Sequence, residues 1–275
     1  MELLVAIPFC CLGAFILLGF GLVILMISRQ SQPYSAQEMA QAEAGASDYF
    51  SRTVPTLLPW TSNSLVDLSC QWQGTRGGFT IGGYQGVVKS LSNPDGPGLL
   101  VYYLSLKGRR GFLRLRTSEP FDPSTGLRAG SAPLGYTRDR QDRREVRLDI
   151  EANEARVTVE GQPLGSIHLR EGTIFDSGGQ PIGRYQRYRG LRWQVGSAPT
   201  SSRYGPLELY GRTVAEVNDG LVRGGGLLTG SAAGRPLLRN LASDLTPEEE
   251  TWLLALVALE LYHSALRHRN RPRSF

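Results

Sequence analysis

Arginine supplies most of the polar chemistry that this sequence offers. Of the 30 lysines and arginines in the 275-residue chain, only Lys89 and Lys107 are lysines. The planar guanidinium group binds phosphate and carboxylate groups through paired hydrogen bonds. The formal net charge is only +5, so acidic residues balance most of these cations. The first candidate chemistry is therefore the recognition of anionic groups by local clusters of arginine.

Three basic clusters differ in how far acidic residues balance them. One lies in and beside a predicted hairpin at 107–116, and another is interleaved with Tyr185 and Tyr188. The third, at 138–147, alternates with aspartate and glutamate and is typical of a solvated surface that neutralises itself. The first two supply the candidate ligands for lipid headgroups: Lys107, Arg109, Arg110, Arg184, Arg187 and Arg189. Ordinary protein exterior in an arginine-rich chain is the alternative interpretation, and the sequence leaves it open.

Residue types that carry out catalysis or bind metals are sparse. None of the three histidines has cysteine or aspartate neighbours at metal-ligand spacing. Ser231 stands one position too early for a nucleophile elbow, and the glycine run at 224–230 lacks the residues of a phosphate loop. We therefore predict no metal, no cofactor and no enzymatic activity. A lipid-active enzyme that uses His168 or Asp176 is the third alternative.

A long apolar run lies near the C-terminal end of the chain. Thr246 and Glu249, with a proline between them, are typical of a helix start with a capping box. Every residue from Trp252 to Leu259 is apolar, so two helical turns have no polar face. Spanning a bilayer takes about 20 apolar residues, and Glu260 makes this run too short. We predict a helix over 247–266 that is enclosed by protein; a partly exposed helix or a dimer interface is the alternative.

The middle of the chain is a succession of short strand patterns. Apolar and polar residues alternate over 66–72, 112–117 and 146–150, which is the period of a half-buried strand. Roughly ten to twelve such segments with regular turns predict an antiparallel barrel or sandwich. A barrel of that many strands is too wide for its side chains to fill. The all-round apolar helix is a suitable filling.

One short phrase occurs twice in this region. Gly-Gln-Pro-Leu-Gly at 161–165 is followed 18 residues later by Gly-Gln-Pro-Ile-Gly at 179–183. Each copy places a turn before a strand, with a second glycine just inside the strand. The repetition predicts successive hairpins of a meander.

The order of many strands and one wholly apolar helix resembles the tubby C-terminal-like fold, which phospholipid scramblases and LURP-one-related proteins share. The segment from Ile174 to Arg184 looks like a strand-turn-strand phrase common in that superfamily. The resemblance covers residues 60–266. It implies a mainly β fold, with a closed antiparallel barrel of about twelve strands around a C-terminal hydrophobic helix. It also implies affinity for anionic or phosphorylated lipid headgroups, but the scramblases' cysteine-rich stretch is missing and their transport activity is not implied.

The N-terminal segment from Leu3 to Ile27 has 25 residues without a charge, enough to cross a bilayer. No lysine or arginine precedes it, so we predict one retained transmembrane helix rather than a signal peptide. Arg29 is the single basic residue near either end, and the positive-inside rule places the following domain in the cytoplasm. Cys70 is alone outside the anchor, which suits a reducing compartment. We predict a single-pass membrane protein.

These patterns divide the chain into four predicted parts. They are an anchor at 1–28, a tether at 29–59 with a short helix from Ala36 to Ala46, a barrel domain at 60–266 and a basic tail at 267–275. We expect a membrane-anchored, non-enzymatic module that binds anionic lipid headgroups. A scaffold subunit that binds a protein partner in a membrane complex is the main alternative. Nucleic acid is not an expected partner, because the net charge is small and the chain carries a predicted anchor.

Overall fold

A single sheet and two long helices make up the part of the chain that the structure describes. The structure is a computed structural model that describes residues 34–61, 63–77, 82–107, 110–118, 145–186, 204–218, 222–223 and 235–269, together with Gly19. Helix α1 is Ala36–Thr53, a 3-10 turn follows at Val54–Thr56, and helix α2 is Pro247–Arg269. In chain order the strands are β1 (Leu68–Gly77), β2 (Gly82–Ser90), β3 (Gly98–Lys107), β4 (Arg110–Thr117), β5 (Glu145–Glu151), β6 (Glu154–Val159), β7 (Gln162–His168), β8 (Thr173–Asp176), β9 (Pro181–Tyr185), β10 (Tyr204–Leu209), β11 (Arg212–Asn218), β12 (Val222–Arg223) and β13 (Leu238–Arg239).

The sheet curls into a nearly closed antiparallel barrel. Strands β1 to β11 pair in chain order and β13 pairs with β11, while the short β12 pairs parallel with β1. Next to β13, Pro236 forms an antiparallel bridge with Ser69 of β1. Two backbone hydrogen bonds support that bridge, from Cys70 N to Arg235 O at 2.9 Å and from Leu237 N to Leu68 O at 2.6 Å. The predicted mainly β antiparallel barrel is confirmed in a nearly closed form, in which residues 235–237 beside β13 are joined to β1.

Helix α2 fills the interior of the barrel. Every side chain from Trp252 to Leu259 is at most 1% exposed, as expected of a helix that has no polar face. Its start is the predicted capping box: Thr246 N donates to Glu249 Oε2 at 2.8 Å, and Glu249 N donates to Thr246 Oγ1 at 3.2 Å. The prediction of a helix enclosed by protein is confirmed.

Helix α1 lies on the outer face of the barrel. A helix was expected from 36 to 46 within the predicted tether, but α1 is longer and ends at Thr53. Its N-cap is Ser35, which forms a capping box with Glu38. The buried side chains of α1 are Ala42, Ala46 and Phe50. Alanines four residues apart give little sequence signal of a buried face, so only the packing reveals how far this helix extends.

The repeated glycine phrase has one structural role in both copies. Gly161 and Gly179 have φ values of +78° and +79°, which suit the turns before β7 and β9. Gly165 and Gly183 follow inside those strands, where a Cβ would lie 2.0 Å and 2.1 Å from a neighbouring backbone oxygen. The predicted successive hairpins are confirmed.

The predicted membrane anchor lies almost entirely outside the described residues. Among the residues that the structure describes, no helix is both long enough and apolar enough to span a bilayer. Within the predicted anchor, Leu3 to Ile27, only Gly19 belongs to those residues. The anchor therefore stays a prediction.

Candidate functional site

The predicted headgroup ligands lie in two separate places on the barrel. Lys107, at the end of β3, is paired in register with Arg110, at the start of β4. Arg184 lies on β9, where it is paired with Thr173 and Glu208. Four strands separate β4 from β9 in the sheet, so these residues do not form one site. The remaining three candidates lie outside the described residues: Arg109, Arg187 and Arg189.

Lys107 holds the beginning of α1 against the barrel. Its Nζ donates to Glu38 Oε1 at 3.0 Å and to Glu38 Oε2 at 2.8 Å, and it lies 5.9 Å from the centre of the Tyr34 ring. The hydrogen bond from Lys107, followed by that from the Ser35 backbone, lowers the pKa of Glu38 below its ordinary 4.5. Tyr34 Oη adds a 2.8 Å hydrogen bond with Ser105 Oγ. The β3–β4 hairpin and the N-terminal end of α1 therefore lie side by side.

Arg110 and Arg184 are more accessible than Lys107. The side chain of Arg110 is 52% exposed, and its Nη2 lies 3.5 Å from Glu151 Oε1. Exposed ion pairs of this kind contribute about 0–1 kcal/mol, because water and salt screen them. Arg184 is also exposed. These guanidinium groups can approach an external anion without first breaking a buried contact.

Two further arginines, absent from the predicted set, form the most organised basic site. In register, Tyr103 of β3 is opposite Arg114 of β4, and Arg114 is opposite Arg147 of β5. Glu43 of α1 pairs with both guanidinium groups, through Oε2 at 3.2 Å to Arg114 Nη1 and through Oε1 to Arg147 Nη1. We call the set of Arg114, Arg147 and Glu43 the arginine pair site.

Two barrel carboxylates complete the electrostatics of the arginine pair site. Arg114 Nη2 lies 2.6 Å from Glu145 Oε1, and Arg147 Nε donates to both oxygens of Asp149 at 2.9 Å. Burial opposes the charge on Arg147, but its contacts with Asp149 and Glu43 outweigh that effect and raise its pKa. Both arginines are therefore cations held by anions on either side.

Aromatic rings support the same two guanidinium groups. Arg147 lies 5.0 Å from the ring centre of Phe112, and Arg114 lies 5.2 Å from that of Phe50. Tyr103 stacks on Phe112 with ring centres 6.1 Å apart. Arginines lying over aromatic faces gain cation–π attraction and are held in place. The alternation of arginine with leucine in β4 indicates a basic face of that strand, but only the strand register places Arg114 opposite Arg147.

A buried polar group inside the barrel is a separate candidate. Tyr185 Oη donates to Glu260 Oε1 at 2.7 Å, and His263 Nδ1 lies 3.6 Å from the same oxygen. Tyr185 and Glu260 are at most 2% exposed. A carboxylate, a phenol and an imidazole are residue types of acid–base chemistry, but a substrate in solution has no access to this carboxylate in the described conformation. The geometry fits a hydrogen bond that ties α2 to β9.

The residues named for the enzyme alternative lie at different ends of the β7–β8 pairing. His168 ends β7 and its Nδ1 lies 3.3 Å from Glu171 Oε2. Asp176 ends β8, is paired with Gly165, and accepts a hydrogen bond from Gln180 N at 2.8 Å within a turn. Within the described part of the chain, no group of three or more histidine, cysteine or acidic side chains could hold a metal ion.

Comparison with known proteins assigns no family to the chain. No protein-family model matches it, and neither does any curated protein or solved structure. The resemblance to the tubby C-terminal-like fold therefore remains a prediction from the sequence.

Proposed function

We propose that this protein is a membrane-anchored, non-enzymatic binding module whose β3–β4 hairpin contacts anionic lipid headgroups. The observation that supports this proposal is the position of the hairpin beside the N-terminal end of α1. Tyr34 bonds to Ser105, and Glu38 bonds to Lys107. The hairpin is therefore adjacent to the point where the chain leads back to the predicted anchor.

Chain length limits how far the hairpin can lie from the membrane. Only six residues separate Ile27, the end of the predicted anchor, from Tyr34. Even fully extended, that link reaches about 25 Å. Basic residues near an anionic leaflet each contribute about 1 kcal/mol of attraction, which fades within a Debye length. A hairpin held so close to the bilayer is well placed to use such residues.

The basic residues take different roles in this proposal. Arg109 and Arg110 contact headgroups, while Lys107 keeps α1 against the hairpin through Glu38. Four strands separate β4 from β9, which carries Arg184, and we assign Arg184, with Arg187 and Arg189, to a separate basic surface rather than to the hairpin. The resemblance to headgroup-binding barrels supports the same ligand class. The positive-inside rule applied to Arg29 favours the cytoplasmic leaflet.

Binding of a soluble fragment to vesicles tests this proposal. The fragment should begin at residue 34, because a later N-terminus would remove part of α1 and its contacts with the barrel. We expect flotation with phosphatidylcholine vesicles only when they contain phosphatidylserine, and weaker binding at high salt. Cooperative thermal unfolding by circular dichroism is the check that the fragment is folded.

The double variant Arg109→Gln/Arg110→Gln should weaken binding to anionic vesicles about thirty-fold, as expected for two surface cations. Arg156→Gln is the matched control, because Arg156 is an exposed arginine of β6 with a loose contact to Glu154 at 3.9 Å. Equal binding by the double variant and the control would refute the role of the hairpin.

A scaffold function is the second candidate. The observation that favours it is α1 itself, since it shows that the outer face of β3–β5 can hold a helix. A partner protein that co-purifies in stoichiometric amount with the gently solubilised full chain, without any preference for anionic lipid, would support it.

A further inference from the structure

We infer that the barrel face beneath α1 is a second, covered surface for an anionic bilayer, in which lipid phosphate replaces Glu43 at the arginine pair site. This inference rests on the proposed function, because it names a further surface for the same ligand. Helix α1 then acts as an internal competitor that leaves the barrel when the membrane is sufficiently anionic.

The arginine pair needs an anion. Like charges directly opposite each other on antiparallel strands repel, and Arg114 and Arg147 are opposite each other in register. Glu145 and Asp149 each engage one of them from the barrel itself. Glu43 is the group that bridges the two, and it comes from α1. A phosphate group can make the same bridge, since its oxygens accept the paired hydrogen bonds of guanidinium groups.

The face becomes more basic when α1 leaves. Three cations of this face, Lys107, Arg114 and Arg147, pair with four carboxylates, of which Glu38 and Glu43 belong to α1. Without α1 the same three cations pair only with the two carboxylates of the barrel. Loss of α1 therefore removes two negative charges from this face, which favours contact with an anionic surface.

The face beneath α1 also has the apolar character of a membrane contact. Phe112 and Val101 are fully buried there, with Tyr103 half-buried between them. They pack with Ala42, Ala46 and Phe50 of α1 in two small clusters that are separate from the main core around α2. Aromatic side chains beside arginines suit the interface between lipid headgroups and acyl chains. Because these clusters are separate, α1 can leave without opening the barrel.

The location of the face selects a bilayer as the occupant. Lys107 belongs both to this face and to the β3–β4 hairpin, so the two surfaces are continuous. The N-terminal end of α1 leads to the predicted anchor within about 25 Å. A membrane is thus the nearest large anionic surface, and an acidic helix of a partner protein becomes an outcome of the test.

Hydrogen exchange of the full chain reconstituted in vesicles tests the inference. Amides of α1, residues 36–53, should exchange about tenfold faster in vesicles that contain phosphatidylserine than in pure phosphatidylcholine, which corresponds to losing one charge-assisted contact. Inorganic phosphate added to phosphatidylcholine vesicles should leave α1 protected, because the apolar part of the face then gains no cover. A photocrosslinking phosphatidylserine should label β4 and β5.

Matched variants test whether the arginine pair site controls the hydrogen exchange of α1. Glu43→Gln should speed the exchange of α1 and increase crosslinking to β4 and β5. Asp48→Asn is the control, because Asp48 pairs with Arg52 within α1 and not with the barrel. The double variant Arg114→Gln/Arg147→Gln should make the exchange of α1 fast and independent of phosphatidylserine.

The outcomes separate this inference from the proposed function. Crosslinks confined to residues 107–110, with α1 equally protected in both lipids, would overturn the covered face and leave the hairpin proposal intact. Crosslinks on β4 and β5 but none on the hairpin would support the covered face and count against the hairpin. No crosslinks in any variant, or capture of an acidic protein by the Glu43→Gln chain in place of lipid, would overturn the inference.

Discussion

The two helices of this protein cover opposite faces of the same sheet by different physical means. Helix α2 lies inside the barrel against β4 and β5, and its apolar turns from Trp252 to Leu259 are completely enclosed. Helix α1 lies outside against β3 and β4, and it buries mainly two alanines and one phenylalanine. Glu38 and Glu43 of α1 pair with barrel cations at partly exposed positions. Burial therefore holds the inner helix, whereas ion pairs hold much of the outer one.

The helix starts share a further device. Each has a capping box whose glutamate also pairs with a barrel cation: Glu38 with Lys107, and Glu249 with Arg212. The same type of capping box therefore occurs in a helix that is part of the core and in a helix that is not. We expect an identical cap to have different consequences in the two helices, since loss of α2 should open the barrel and loss of α1 should leave the core around α2 intact.

The largest expected effect comes from a charge placed inside the barrel. Leu256→Asp should cost more than about 4 kcal/mol and prevent folding, because an unpaired carboxylate would lie in the core. Val66→Asp is the control, since Val66 is 48% exposed and the same substitution should be tolerated there. Circular dichroism and size-exclusion chromatography of fragment 34–275 measure both. A folded, monomeric Leu256→Asp protein would contradict the central position of α2.

A smaller effect should distinguish the two caps. Thr246→Ala and Ser35→Ala each remove an N-cap oxygen, at a cost of about 1 kcal/mol. Thr246→Ala should lower the global free energy of unfolding, measured in urea. Ser35→Ala should leave the global value unchanged and only speed hydrogen exchange in α1, because the outer helix opens on its own. A global loss of equal size in both variants would mean that α1 and the barrel unfold as one unit.

The smallest expected effect is a dependence on pH. The hydrogen bond from Lys107 is the main cause that lowers the pKa of Glu38 below its ordinary 4.5. The hydrogen bond from Arg212 has the same effect on the pKa of Glu249. A lowered folded-state pKa gives stability that is present above the unfolded value and is lost as the pH falls through the folded value. The urea midpoint should therefore decrease below pH 4.5, and less so in Glu249→Gln. In Glu38→Gln, the urea midpoint should respond to acid as it does in the unmodified protein. Amide hydrogen exchange in α1, corrected for its intrinsic pH dependence, should depend less on pH. An unchanged acid response in Glu249→Gln would argue against the pairing with Arg212.

The features of the barrel strands and of the helix inside them could be predicted from the sequence. The run from Trp252 to Leu259 has no polar face, which predicts an enclosed helix, and period-two strands with regular turns predict an antiparallel barrel or sandwich. Thr246 and Glu249 mark the start of α2 by spacing alone, and Gly161 and Gly179 mark two turns. These features are local or periodic, which is why the sequence reveals them.

The contacts between α1 and the outer face of the barrel could be seen only in the tertiary structure. Nothing in the order of residues places Arg114 opposite Arg147, since that depends on the register of two strands joined through residues 118–144. Nor does the composition of α1 predict that Glu43 bridges them, because alanines and isolated carboxylates are compatible with a solvated tether. Contacts between residues 71 and 104 positions apart exist only in the folded barrel. A pattern read along the chain cannot contain them, because the atoms that meet belong to distant parts of it.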